Sequence, residues 1–248
     1  MSARKIIAGL IVLWLVSAYF ALPLLWKRKE KVAAAAAPTT GQKLPRHSET
    51  ANGIPGDPIN LVFVGTREQV VGAMLAAGWH PADPITLKSS LEIAAGTVFH
   101  RSYEDAPVSP LMLWGKKQDL TFEFPFGEDP SERHHIRFWL APEKDDLGRT
   151  LWAAGATFDR SVGLSHTTGQ ITHHIAPGTD AERDNVLEDL RRVGAASDIS
   201  WIDGFQPERT GKNGGGDPYF TDGRLVIIVV GAPAAATPPR TVPGPARE

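Results

Sequence analysis

An α+β domain is the fold class this sequence predicts: a mostly antiparallel sheet flanked by about three helices, preceded by one N-terminal transmembrane helix. Three observations predict it. Segments with apolar residues at helical intervals, opened by capping signals, are interleaved with segments of period two. Ile6 to Trp26 runs 21 residues without a charge, enough for a helix to cross a hydrocarbon core of about 30 Å. A chain of 248 residues with 42% hydrophobic content can still bury a full core after that span is set aside.

The elements follow in order. Residues 1–31 form the anchor and its basic flank Lys27-Arg28-Lys29-Glu30-Lys31; that flank separates the apolar run from the small residues a signal peptidase would need, so the span is expected to stay uncleaved. Residues 32–56 are rich in Ala, Pro and Thr and predict a linker. Residues 57–231 predict one domain, and 232–248, with five prolines, a disordered tail. Inside the domain Ile59–Val64 is a β-branched run of strand length. Thr66 with Gln69 has capping-box spacing, Val70, Val71, Met74 and Leu75 follow at helical intervals, and Gly78 closes that helix. A second helix is predicted over Thr86–Val98, and a third after Thr179, with Glu182 completing a capping box and Val186, Leu187, Leu190 and Val193 on one face up to Gly194. Strands are predicted at Leu111–Trp114 and Leu120–Phe124, joined through Gly115–Gln118, then at Ile136–Leu140, Leu151–Phe158, Ile171–Ile175 and Leu225–Val230.

Charge narrows the partners. The first 31 residues carry +5 and the chain −2, which leaves −7 on the remainder. A negative domain without a basic stripe excludes nucleic acid as a partner. The membrane, met through the N-terminal helix, is the expected one, with the basic flank beside anionic headgroups. Lys and Arg flanking the span favour a cytoplasmic domain by the cation rule, whereas a short tail, one span and a spacer is the plan of a domain displayed outside; a single-pass membrane protein with a periplasmic domain is the expectation adopted. Absence of cysteine excludes disulfides and thiolate metal sites.

Chemistry points to histidine. Of eight histidines, four sit in the doublets Arg133-His134-His135-Ile136-Arg137 and Thr172-His173-His174-Ile175, with His166 just ahead of the second. Alternation along strands puts His134, Ile136, Phe138 and Leu140 on one side and Arg133, His135, Arg137 and Trp139 on the other. His174 and Thr172 face away from the Ile171 and Ile175 side, and Asp119, Thr121 and Glu123 away from Leu120, Phe122 and Phe124. One sheet face is therefore expected to collect His135, Arg137, His174, Asp119 and Glu123, with Asp159 joining at a strand end. Two readings compete. Arg137, His135, His174 and Thr172 suit an anion held by charge-assisted bonds, with no cofactor. His135, His166, His174 and Asp159 are the candidate catalytic groups of a hydrolase, and His135, His174, His166 and Glu123 the candidate ligands of a zinc ion. Against both stands the plainer possibility that each doublet supplies one core-edge histidine and one solvated histidine. Ser165-His166 lacks a Gly-x-Ser-x-Gly elbow, and Gly211–Gly216 lacks the strand-to-helix context of a phosphate loop, which favours a flexible hairpin loop.

Several ordered blocks carry a resemblance: Ala77-Gly78-Trp79, Pro81-Ala82-Asp83-Pro84-Ile85-Thr86, Ser89-Ser90, Ala106–Leu111, Gln118-Asp119-Leu120, Arg133–Arg137, Gly163–Ile175 and Ala181-Glu182-Arg183-Asp184. Together they resemble the LssY C-terminal domain family over roughly Asp57 to Gly194. The resemblance brings no established activity or catalytic residues. It implies a bacterial envelope setting near lipid-phosphate chemistry, because the family's domain also occurs fused behind phosphatase-type membrane regions, and hence membrane lipid-phosphate enzymes or secretion components as partners. The expected function is an envelope accessory or binding module for an anionic, lipid-phosphate type ligand; the alternative is a His/carboxylate metal-assisted hydrolase of an envelope lipid or phosphate ester.

Overall fold

The structure, a computed structural model, describes residues 44–82, 110–126, 132–167 and 171–233. The expected span Ile6–Trp26, the second helix at Thr86–Val98 and most of the tail lie outside the described residues. Among the described residues no helix is long and apolar enough to cross a membrane.

Fourteen strands and two helices alternate along the described chain. β1 (His47–Thr50) and β2 (Pro55–Pro58) fall where the linker was expected to end. β3 (Leu61–Val64) leads into α1 (Arg67–Ala76), then β4 (His80–Pro81). β5 (Leu111–Leu113), β6 (Lys116–Lys117), β7 (Leu120–Pro125), β8 (Arg133–Lys144), β9 (Thr150–Leu164) and β10 (Ile171–Ile175) follow. After α2 (Thr179–Arg192) come β11 (Ala196–Ile202), β12 (Thr210–Lys212), β13 (Pro218–Phe220) and β14 (Leu225–Val230).

The main sheet has the order β11-β14-β3-β9-β8-β7-β4, with β10 also paired to β9. Its pairs are antiparallel except β14 with β3, which run parallel one strand in from the β11 edge. Strand β9 is long enough to hold two neighbours on one edge, β3 against Leu151–Ala154 and β10 against Asp159–Leu164. The gap between them is closed by Asn60, whose side chain accepts from the Ala156 amide (3.0 Å) and donates to the Ala156 and Thr179 carbonyls (3.0 and 3.2 Å). A side-chain amide here does the work of a missing strand residue.

Both faces of this sheet are covered. On one, α1 and α2 pack Val70, Val71, Met74, Val186, Leu187 and Leu190 onto Leu61, Phe63, Phe122, Ile136 and Phe138. On the other, Leu111, Leu113 and Phe205 meet Val62, Trp139 and Leu225 beneath a four-stranded sheet of order β2-β1-β5-β6.

Helix ends obey local rules with one exception. At α1, Thr66 and Gln69 form the predicted capping box. Gly78 (φ +93°) donates to Leu75 while Trp79 donates to Met74, a Schellman ending. Gly194 and Ala195 close α2 in the same manner on Arg191 and Leu190. The exception is the predicted capping box of Thr179 and Glu182: α2 starts from Gly178 without a side-chain cap. Thr179 Oγ1 instead donates to the Phe220 carbonyl (3.4 Å), and Glu182 is turned into the core against His134.

A second difference lies at Leu111–Trp114. This segment does not pair with Leu120–Phe124 as a hairpin. It turns through Trp114 (φ +51°) and Gly115 (φ +73°) to pair with β6, in the smaller sheet. Two successive positive φ values are the signature of a type I′ turn, the connection suited to twisted antiparallel strands.

Candidate functional site

On the face away from the helices the alternation of β7, β8 and β9 buries a polar row. Register puts Glu123 beside His135 and Thr121 beside Arg137 across β7–β8, and Arg133 beside Asp159 across β8–β9. Arg133, His135, Arg137, Thr121, Thr157 and Asp159 are all buried.

Asp159 is the centre of this row. Its Oδ2 accepts from Arg133 Nε (3.3 Å) and lies 3.6 Å from His173 Nδ1 and 3.9 Å from His135 Nδ1. Arg133 uses all three of its nitrogens, also donating through Nη1 to Glu123 Oε2 (2.8 Å) and meeting His173 Nε2 through Nη2 (3.3 Å). Burial pushes the Asp159 carboxyl up to about 6, against the pull of Arg137 and Arg133. Burial, then the nearby Arg137, Arg133 and His173, drive His135 well below the usual imidazole range, so it is neutral at pH 7.

Arg137 is used differently. Nη1 donates to Asp57 Oδ2 (2.8 Å), and this is its one hydrogen bond among the described residues, which leaves four N–H groups unspent. Asn213 Nδ2 holds the other oxygen of Asp57 at 3.3 Å. Among the described residues neither nitrogen of His135 has a hydrogen-bond partner, nor has Arg137 Nε or Thr157 Oγ1. Beside this ends a cavity of about 260 Å³ whose wall includes Asp57, Arg137, Asp159, Thr172, His173 and Asn213, with Gly214 and Gly215 at one side.

The second histidine doublet splits between two environments. His173, not His174, meets Asp159 and Arg133. His174 Nδ1 bonds Asp217 Oδ1 (2.6 Å), and His166 Nε2 lies 3.8 Å from the same oxygen. The expected convergence of His135, Arg137 and His174 on one face is corrected: the side carrying Ile175 is the side carrying His135, because both faces of the sheet are buried and an apolar residue does not mark either. Asp119 is corrected too. It accepts the Leu140 amide (2.7 Å) and pairs with Lys116 (3.2 Å), outside the cluster. Glu123 belongs to Arg133 and does not join His166 and His174. Of the other sequence-predicted residues, Thr172 and Asp159 line the cavity; the Thr172 hydroxyl donates to the His173 carbonyl (3.4 Å). Ser165 Oγ donates to the Gly215 carbonyl (3.1 Å), which ties two loops together.

Sequence reasoning missed Asp57, Asn213 and Asp217. The last two belong to the loop between β12 and β13, where Asn213 Oδ1 accepts the amides of Gly215 (3.0 Å) and Asp217 (2.9 Å). An Asn and an Asp bracketing three glycines was the available signal: a polar pair that shapes a tight loop also aims its second carboxylate.

The comparisons add one finding. No curated protein and no solved structure matches this chain, whereas the family model described as the LssY C-terminus matches residues 41–225. That match takes in the β12–β13 loop as well as both histidine doublets, and it covers well over half of the sequence. The chain belongs to the LssY C-terminus family.

Proposed function

We propose that this chain is a single-pass, membrane-anchored protein of the bacterial inner membrane whose periplasmic domain binds an anionic group, of the kind carried by a lipid phosphate, in the sheet-face cavity. The observation that carries this reading is Arg137: a buried guanidinium on the cavity wall that spends one N–H on Asp57 and has four left. A guanidinium with spare N–H groups in a desolvated wall favours planar, multiply accepting oxyanions. His135, buried and neutral beside Arg137 but not itself on the cavity wall, has no hydrogen-bond partner for either ring nitrogen among the described residues. The span Ile6–Trp26 supports the anchor, and the family's envelope setting supports the ligand class.

Thermal unfolding of the purified full chain in detergent, with a chelator present, tests the reading. Inorganic phosphate and micelles containing phosphatidic acid are added in separate arms. Saturable stabilisation that Arg137→Met abolishes is the expected result. Stabilisation by the lipid alone would assign the headgroup as ligand, and stabilisation by phosphate in both arms the free anion. No stabilisation in either arm would sink the proposal.

A metal-assisted hydrolase of an envelope phosphate ester is the second reading, and one observation favours it. Asp159, held up to about 6 between two imidazoles at the cavity, has the acidity of a group that exchanges protons near neutral pH. Release of phosphate from phosphatidic acid, abolished in Asp159→Asn, would replace the binding reading with this one.

A further inference from the structure

We propose that His166, His174 and Asp217 form a divalent-cation site of zinc type at the rim of the cavity, distinct from the Asp159 cluster and independent of the anion reading above. The three residues each offer one ligand atom, and these atoms lie within 4.8 Å of one another. A tetrahedral zinc with bonds of about 2.0–2.1 Å holds its ligand atoms about 3.3 Å apart. The observed His166–Asp217 separation of 3.8 Å and His174–Asp217 separation of 2.6 Å bracket that value, so an ion would replace the proton of the His174–Asp217 hydrogen bond and widen that contact while exposed His166 pivots inward.

Asp217 is built for the role. It is wholly buried, yet only one of its oxygens is spent on the fold: Oδ2 accepts the Ile175 amide (3.2 Å) and Oδ1 faces the two imidazoles. Its own amide is held by Asn213 Oδ1, which fixes the carboxylate from behind. The surroundings leave both imidazoles room. A Cβ on Gly163 would stand 2.7 Å from His174 Nε2, and one on Gly216 (φ +87°) would stand 2.8 Å from His166 Cβ. Gly163 thus leaves room for the His174 ring and Gly216 for the base of the His166 side chain, and the two ring centroids lie 5.0 Å apart. A purely structural His–Asp pair needs no second imidazole drawn to the same oxygen.

Chemistry selects the ion. Two nitrogens and one oxygen suit zinc or a neighbouring transition ion over magnesium or calcium, which take oxygen donors. Three protein ligands leave a position for water or an external oxyanion, the arrangement of an open site. Neutral histidines and one carboxylate leave the bound dication with a net positive charge, beside a cavity whose wall includes Ser165, Thr172 and Gly215.

Equilibrium dialysis of the chelator-treated full chain in detergent against zinc alone, read by elemental analysis, tests this. One zinc per chain is expected, with cobalt giving the visible absorption of a four-coordinate ion. Asp217→Ala and His174→Ala are each expected to weaken binding by more than about 100-fold. Because Asp217 also holds the Ile175 amide, His166→Ala serves as the variant that leaves the fold intact, the side chain being largely exposed; it is expected to weaken zinc binding and remove the four-coordinate cobalt spectrum. His80→Ala is expected to bind as the parent does. Zinc binding unchanged in His166→Ala, or no stoichiometric zinc in the parent, would overturn the site. Either result leaves the chelator-treated phosphate response of Arg137 standing, so the two proposals fail separately.

Discussion

His135 and His47 show how differently one side chain can be used within a single fold. His135 is buried among guanidinium groups with neither ring nitrogen bonded, an arrangement that costs about 1–3 kcal/mol for each polar atom left without a partner. A leucine of similar volume removes that cost. His135→Leu is therefore expected to raise thermal stability by an amount on the order of 1 kcal/mol while weakening the phosphate response, both read in one melting experiment. A destabilised variant would mean the ring makes bonds that matter to the fold. His47 pairs with the Tyr219 hydroxyl, and its folded value is lowered to about 4, mainly by burial and further by Arg46, against the pull of Glu208. A histidine depressed in the folded state contributes stability that is present above its unfolded value of about 6.5 and is lost as the pH falls to about 4. The stability of the parent relative to His47→Phe should accordingly decline across that window, by at most about 3 kcal/mol. Asp159, raised to about 6, has the opposite sign and favours the folded chain at acid pH, which is why the difference between parent and variant is the quantity to measure.

Among the elements, α2 depends on a contact that propensity rules read as something else. Spacing marked Glu182 as a capping residue, but its Oε2 accepts from His134 Nδ1 across 2.8 Å, with both side chains buried between helix and sheet. Breaking one half of a buried polar pair strands the other, so Glu182→Ala is expected to cost about 3–5 kcal/mol in chemical denaturation, and Glu182→Gln much less. Equal effects would show that charge, not hydrogen bonding, makes the contact. Element type and side-chain alternation were legible in β7 and β8, where the two sides differ in polarity. They were not enough in β10, where Ile175 looks towards the polar cavity and a register shift at β9 follows His174. Alternation sorts residues into two sets, but only the neighbouring strand says which set faces which layer. Periodicity could not place Asp57, Asn213 and Asp217, which reach the cavity or its neighbourhood from a loop or a short strand far away in sequence; only the Asn-Gly-Gly-Gly-Asp pattern of 213–217 hinted at the last two.

At the scale of the whole molecule the sheet is held together by its last strand. β14 lies between β11 and β3, and its parallel pairing with β3 joins the two ends of the described chain. Its run Leu225–Val230 was legible as a buried strand, yet nothing local announced that it would lie between two strands or pair in parallel with one of them. The family match stops at residue 225, the first of this strand, so it ends where the fold still needs the strand's other five residues. Removing β14 would strip Val226, Ile228 and Val230 from the helix-covered core and Leu225 from the opposite one. It would also leave the backbones of β3 and β11 without their shared partner. A chain ending at Arg224 is expected to lose its cooperative thermal transition and to be degraded rapidly by added protease. A chain ending at Pro233 retains every described strand and is expected to melt within a degree or two of the parent. A folded, protease-resistant product ending at Arg224 would mean that the helix-covered half of the sheet is stable alone, with β14 an addition and not the element that closes the domain.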